Sequence, residues 1–131
     1  MEKGSVILAD SHQDLLEGIR GLLETTFETV VMVADEKSLF EAADKLKPQL
    51  AIVDLSLPVS GEVNVAREVK SRYPDLKFII LSVHDEPTAV NEVMSAGATG
   101  FILKRSIATD LFPAVRVALK GYRYISPSLA I

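Results

Sequence analysis

The chain contains no cysteine and no tryptophan. Without thiols it can carry neither a disulfide framework nor zinc–thiolate or cysteine-nucleophile chemistry. Positive charge is not in excess: 14 Lys and Arg stand against 18 Asp and Glu, a formal charge of −4. No basic stripe runs along the sequence, so direct nucleic-acid binding by this segment is not expected. Long apolar runs are missing too. FIILSV is far too short to span a bilayer, and MEKGSVILAD does not have the layout of a signal peptide. The turn ADSHQD has no glycine, which excludes a GxGxxG or P-loop phosphate cradle there. His12 and His84 are not spaced as a zinc pair. His12 reads as a turn or first-turn residue, and His84 as a loop residue at a rim.

What is present suits one domain with its own core: 131 residues, 48% apolar and 24% charged. A cytoplasmic domain without membrane contact is expected. Five short runs rich in Val, Ile and Leu recur: SVILAD (5–10), TVVMVAD (29–35), LAIVD (50–54), KFIILS (77–82) and GFILK (100–104). They do not alternate apolar with polar, the pattern of parallel strands buried on both faces.

Between the runs lie residues at helical spacing, all expected in the core. They are Leu15, Leu16, Ile19, Leu22, Leu23 and Phe27; Leu39, Ala42, Ala43 and Leu46; Val65, Ala66 and Val69; Val90, Val93 and Met94; and Leu111, Phe112, Val115, Ala118 and Leu119. The last helix is expected to begin around Ser106–Thr109, with Pro113 in or near its first turn and Gly121 as its stop. Five strand–helix alternations predict an α/β fold with a parallel sheet. Residues 122–131 read as a tail, or as the start of a linker.

Four of the runs deliver a polar group at their carboxyl ends: Asp10, Asp54, Ser82 and Lys104. In open α/β sheets that edge is where ligands and chemistry gather. Each residue alone has a plain explanation as a helix cap, a turn or a solvated charge. Together they suit one task. Two acids can hold a hard divalent cation through oxygen, and one carboxylate can attack a phosphoryl group. A hydroxyl and an ammonium can then bind the arriving oxygens.

ILADSH, VDLSLP, ILSVHD, SAGATGFILK and ALKGYRYISP together resemble the response-regulator receiver domains of two-component signalling, over about residues 5–121. The closing segments resemble the subgroup that carries a C-terminal helix-turn-helix DNA-binding domain. The resemblance implies a flavodoxin-like (βα)5 doubly wound sandwich whose five-stranded parallel sheet has the order 2-1-3-4-5. It implies that Asp54 is the phosphoacceptor, and that Asp10, Asp54 and the backbone carbonyl of Ser56 hold Mg²⁺. Ser82 and Lys104 would bind the phosphoryl group, with Ser82 and Phe101 as switch residues. A sensor histidine kinase is the implied partner. Homodimerisation is implied through the fourth helix, fifth strand and fifth helix, or through the first and fifth helices. DNA would be reached only through a domain absent from this chain, in the service of transcription.

Three positions depart from the family pattern. Ser11 stands where a second acid, a direct Mg²⁺ ligand, is usual. Gly61 comes one residue early, and Arg105 replaces a frequent proline. Ser11 leaves a rival reading open, an atypical receiver that takes no phosphate and serves as an interaction module. A phosphatase is disfavoured, because Ser56 occupies the position of that chemistry's second acid.

Overall fold

The computed structural model describes residues 2–60, 64–127 and 129, with backbone alone at 2–3 and 13–16. Gly61 and the side chains of Leu15 and Leu16 therefore lie outside the described residues. Strands and helices alternate as β1 (Glu2–Ala9), α1 (Gln13–Leu23), β2 (Phe27–Val33), α2 (Glu36–Leu46), β3 (Leu50–Asp54), α3 (Val65–Arg72), β4 (Lys77–Ser82), α4 (Pro87–Ser95), β5 (Gly100–Leu103), α5 (Ile107–Leu119) and β6 (Tyr124–Ile125). All pairings are parallel, in the order β2-β1-β3-β4-β5-β6. The doubly wound fold is as expected, but the sheet has six strands, not five.

Every residue of β3 and β5 is buried, as are all of β4 except Lys77. Successive side chains face opposite layers. Ile7, Ala9, Ala51 and Val53 meet Leu39, Phe40, Ala43, Val65, Ala66, Val69, Val90 and Val93 from α2, α3 and α4. Val6, Leu8, Leu50 and Ile52 meet Ile19 and Leu23 of α1 and Leu111, Ala114, Val115 and Ala118 of α5. Burying each large aliphatic side chain contributes about 1.5–3 kcal/mol relative to exposure.

Edges and ends account for the differences from expectation. β2 is an outer strand and is half-buried or exposed beyond Phe27, so it is not covered on both faces. Phe27 continues the α1 spacing but opens β2, because α1 ends at Leu23 and a turn follows. Leu22, Leu46 and Phe112 are among the exposed large apolar side chains, although their spacing placed them inside. Pro113 lies in the second turn of α5, not the first. There it removes one ladder bond, while its buried neighbours Leu111, Ala114 and Val115 hold the helix against the sheet.

α5 stops at Gly121 as expected. Gly121 N–H donates to the Ala118 carbonyl (2.9 Å) and Tyr122 N–H to that of Val117 (3.1 Å), a Schellman closure. The tail then returns to the sheet. Tyr124 N–H donates to the Thr99 carbonyl and Ser126 N–H to that of Phe101, both at 3.0 Å. Ser126 Oγ accepts the Leu103 N–H (3.0 Å) and donates to Asp110 Oδ2 (2.6 Å), while Tyr124 Oη donates to Asp110 Oδ1 (3.0 Å). Burial, then the Asp110 carboxylate, pushes the Tyr124 hydroxyl up to about 12.

Gly121 has φ +86° and nothing within 4 Å of where a Cβ would stand. Gly121→Ala should therefore destabilise through backbone strain alone, by about 1–2 kcal/mol, measured as a lower denaturant midpoint with unchanged slope.

Candidate functional site

β1 and β3 are neighbours, with Ala9 opposite Val53. The chain crosses from β1 to β2 on one side and from β3 to β4 and β5 on the other. The strand order therefore reverses between Asp10 and Asp54, where an open α/β sheet forms its crevice. Asp10 directly follows β1 and is tied to the end of β2 through its N–H to the Val33 carbonyl (3.1 Å). Asp54 is the last residue of β3.

Lys104 opens a 3-10 turn after β5 and reaches both acids. Its Nζ lies 3.0 Å from Asp10 Oδ2 and 3.3 Å from Asp54 Oδ2; the side chains are 12%, 0% and 3% exposed. Asp54 Oδ1 accepts the Ser56 N–H (3.2 Å), and Oδ2 accepts the Ser56 hydroxyl (2.7 Å). Ser56 thus braces the acid with its side chain, a part that its expected carbonyl role does not include.

Burial by itself raises the Asp10 carboxyl. The His12 backbone N–H, the Lys104 ammonium and the His12 ring together outweigh it and hold the group below its ordinary 3.8. Asp10 Oδ2 is nevertheless the buried polar atom without a hydrogen bond among the described residues. The Lys104 ammonium is near enough to attract it but is not aligned to donate.

Ser82 ends β4 with its side chain buried, and its hydroxyl is taken up by its own loop. It accepts the His84 N–H (2.8 Å) and donates to the His84 carbonyl (3.3 Å). Phe101 is fully buried in the α2–α4 layer. Ser11 is exposed and is not the helix cap, since position 12 precedes α1. Arg105 faces Asp85 across the edge at 3.3 Å, with both side chains more than half exposed.

His12 is the residue that spacing did not bring to the site. Its ring Nδ1 lies 2.9 Å from Asp10 Oδ1, 3.6 Å from Asp54 Oδ2 and 3.4 Å from Lys104 Nζ. The signal for it was local. An aspartate can accept the N–H of the residue two further on and fold it back, as Asp10 Oδ1 does here with the His12 N–H at 2.8 Å.

Two buried carboxylates, one with an unmet lone pair, and a lysine at a sheet switch point define a class: flavodoxin-like α/β domains with an acid pocket at the carboxyl edge. Comparison with known proteins narrows it. Residues 6–116 match the response regulator receiver domain, and the chain belongs to that family. It is 34% identical over 129 residues to the transcriptional regulatory protein DegU of Brevibacillus brevis, covering 97% of this chain and 55% of DegU. With response regulator GacA of Pseudomonas viridiflava it shares 32% over 128 residues, 95% of this chain and 59% of GacA. The chain thus spans a little over half the length of these curated relatives. Its fold is similar to the isolated REC domain of RcsB from Salmonella enterica serovar Typhimurium, solved with phosphomimetic BeF3⁻. The TM-score is 0.87 at 28% identity, over 98% of this chain and 96% of that one. The residues fit the Mg²⁺ that such domains bind through acids, since protein sites for that ion use one or two carboxylates plus water and phosphate oxygens.

Asp10 carries a pH dependence. Its lowered carboxyl stabilises the fold above its unfolded value, and that contribution is lost as pH falls through the folded value. Between pH 7 and pH 3 the denaturant midpoint of wild type should fall more steeply than that of Asp10→Asn. Parallel profiles would contradict the stabilisation of the Asp10 carboxylate by its partners.

Proposed function

We propose that this domain accepts a phosphoryl group on Asp54 from a phosphohistidine of a sensor histidine kinase, and so acts as a switch rather than an enzyme. The observation that carries the reading is the contact of Lys104 with both buried acids at the strand-order reversal. Asp54 attacks phosphorus, the N–P bond of the donor breaks, and the imidazole leaves with the electron pair. Ser56, which braces both Asp54 oxygens, holds the nucleophile in line. Lys104 exchanges a carboxylate for the phosphoryl oxygens. Ser82 releases the His84 backbone to donate to the same group, and the space it leaves lets Phe101 repack. Asp10, Asp54 and the Ser56 carbonyl would hold Mg²⁺, which when bound offsets charge on the phosphoryl oxygens.

The output is a shift between two conformations, read by a region outside this chain. The relatives' names as transcriptional and response regulators support control of transcription. Residues 1–121 form the body of the receiver, and 122–131, which add β6 to its sheet, lead toward that output region. No described helix is long and apolar enough to cross a membrane, which suits a cytoplasmic signalling domain. The exposed Phe112, which lines a groove with Thr26, Val115 and Leu119, and the exposed Leu22 on α1 favour the α1–α5 face for homodimerisation over the α4–β5–α5 face. A second reading, an interaction module that takes no phosphate, draws on Ser11 alone.

With acetyl phosphate and Mg²⁺, intact-mass spectrometry should show one added acid-labile phosphoryl group on wild type and none on Asp54→Asn. Equal labelling of the variant would remove Asp54 from its role. Ser11→Asp restores an acidic oxygen, and a charged partner is worth about 1.5–3 kcal/mol. A Mg²⁺ titration should therefore show roughly tenfold or greater tightening, and superimposed curves would mean that position 11 does not touch the metal.

A further inference from the structure

Three donors converge at the pocket: a carboxylate oxygen from Asp10, one from Asp54, and a ring nitrogen of His12. All lie within 4.8 Å of one another. Ligands bound about 2.1 Å from a common ion stand roughly 3–4 Å apart. The His12 Nδ1 distances of 2.9 and 3.6 Å match that spacing. The His12 backbone N–H donates to Asp10 Oδ1 and holds the histidine over the pocket, so its position does not depend on the ring contact alone. Independently, Asp10 Oδ2 is buried with its acceptor capacity unmet.

We propose that His12 is a metal ligand of this pocket, and that it biases the site toward a borderline divalent transition ion over Mg²⁺. The inference deepens the metal part of the proposed function. Imidazole nitrogen suits zinc, nickel, iron and copper, whereas Mg²⁺ is held by oxygen. At position 11, where an acid would add one more oxygen donor, this chain has serine, so the imidazole nitrogen weighs more in the set. The incoming ion takes over the two carboxylates, and the Lys104 ammonium, 3.0 and 3.3 Å from them, swings off on its flexible stem.

Calorimetric titration of the untagged protein at neutral pH with Ni²⁺ and with Mg²⁺ tests this, using wild type, His12→Gln and His84→Ala. His12 is 64% exposed, so its replacement leaves the core intact. His12→Gln should weaken Ni²⁺ by at least the roughly tenfold loss that follows removal of even an outer-shell partner, while Mg²⁺ stays within about twofold. His84→Ala should change neither, and with Co²⁺ the visible spectrum of wild type should change in His12→Gln. Equal Ni²⁺ affinity in wild type and His12→Gln, an equal loss for both ions, or a loss only in His84→Ala would overturn the proposal. Mass labelling of Asp54 in the same proteins separates the two readings. An unlabelled Asp54 with His12-dependent Ni²⁺ binding defeats the phosphoacceptor function alone, and the reverse result defeats the metal inference alone.

Discussion

Two carboxylates at the ends of adjacent buried strands repel one another, and a cation between them offsets that repulsion. Removing charged groups from water costs several kcal/mol per ion, and attraction repays it only with close geometry. Lys104 supplies that cation from beyond β5, two strands away from β3. The sheet order, the burial of β5 and the 3-10 turn before α5 all serve to bring its stem across. Leaving one member of a buried ion pair without its partner typically costs about 3–5 kcal/mol. The same contact is a temporary one by design of its chemistry. Whatever brings positive charge or phosphate oxygens to the pocket must compete with Lys104 or replace it.

Much of this was legible from residue pattern, because parallel strands covered on both faces have a distinctive composition. The β3, β4 and β5 runs and their terminal Asp54, Ser82 and following Lys104 are in the places the pattern assigned them. The reading weakened where burial is partial. Helical spacing cannot tell that Leu22 and Phe112 face outward, since an apolar residue carries no mark of whether something covers it. Phe27 kept the spacing of α1 for one step after the helix had ended.

The least legible features depend on contacts distant in sequence. A two-residue strand has no periodicity, so β6 could not be read from Tyr124 and Ile125. It forms because Asp110, on α5, accepts from Tyr124 and Ser126, 14 and 16 residues further on. Ser82 was legible as the polar end of β4, yet its hydrogen bonds to the His84 backbone are set by the loop and not by the strand. His12 lay hidden for another reason. One backbone bond to Asp10 decides whether its ring points to solvent or over the acids.

The returning tail has a mechanical meaning. β6 runs parallel to β5, and its attachments are spread along the strand: Thr99 to Tyr124, Phe101 to Ser126, Leu103 to the Ser126 hydroxyl, with Asp110 clamping two of the same residues. Tension on the carboxyl end is therefore borne in shear, by all of these bonds at once, instead of being peeled away one bond at a time. The last of the loaded strand residues is Leu103, which is covalently joined to Lys104. The joint acts as a stiff linkage, so displacement at either end is transmitted to the other with little slack.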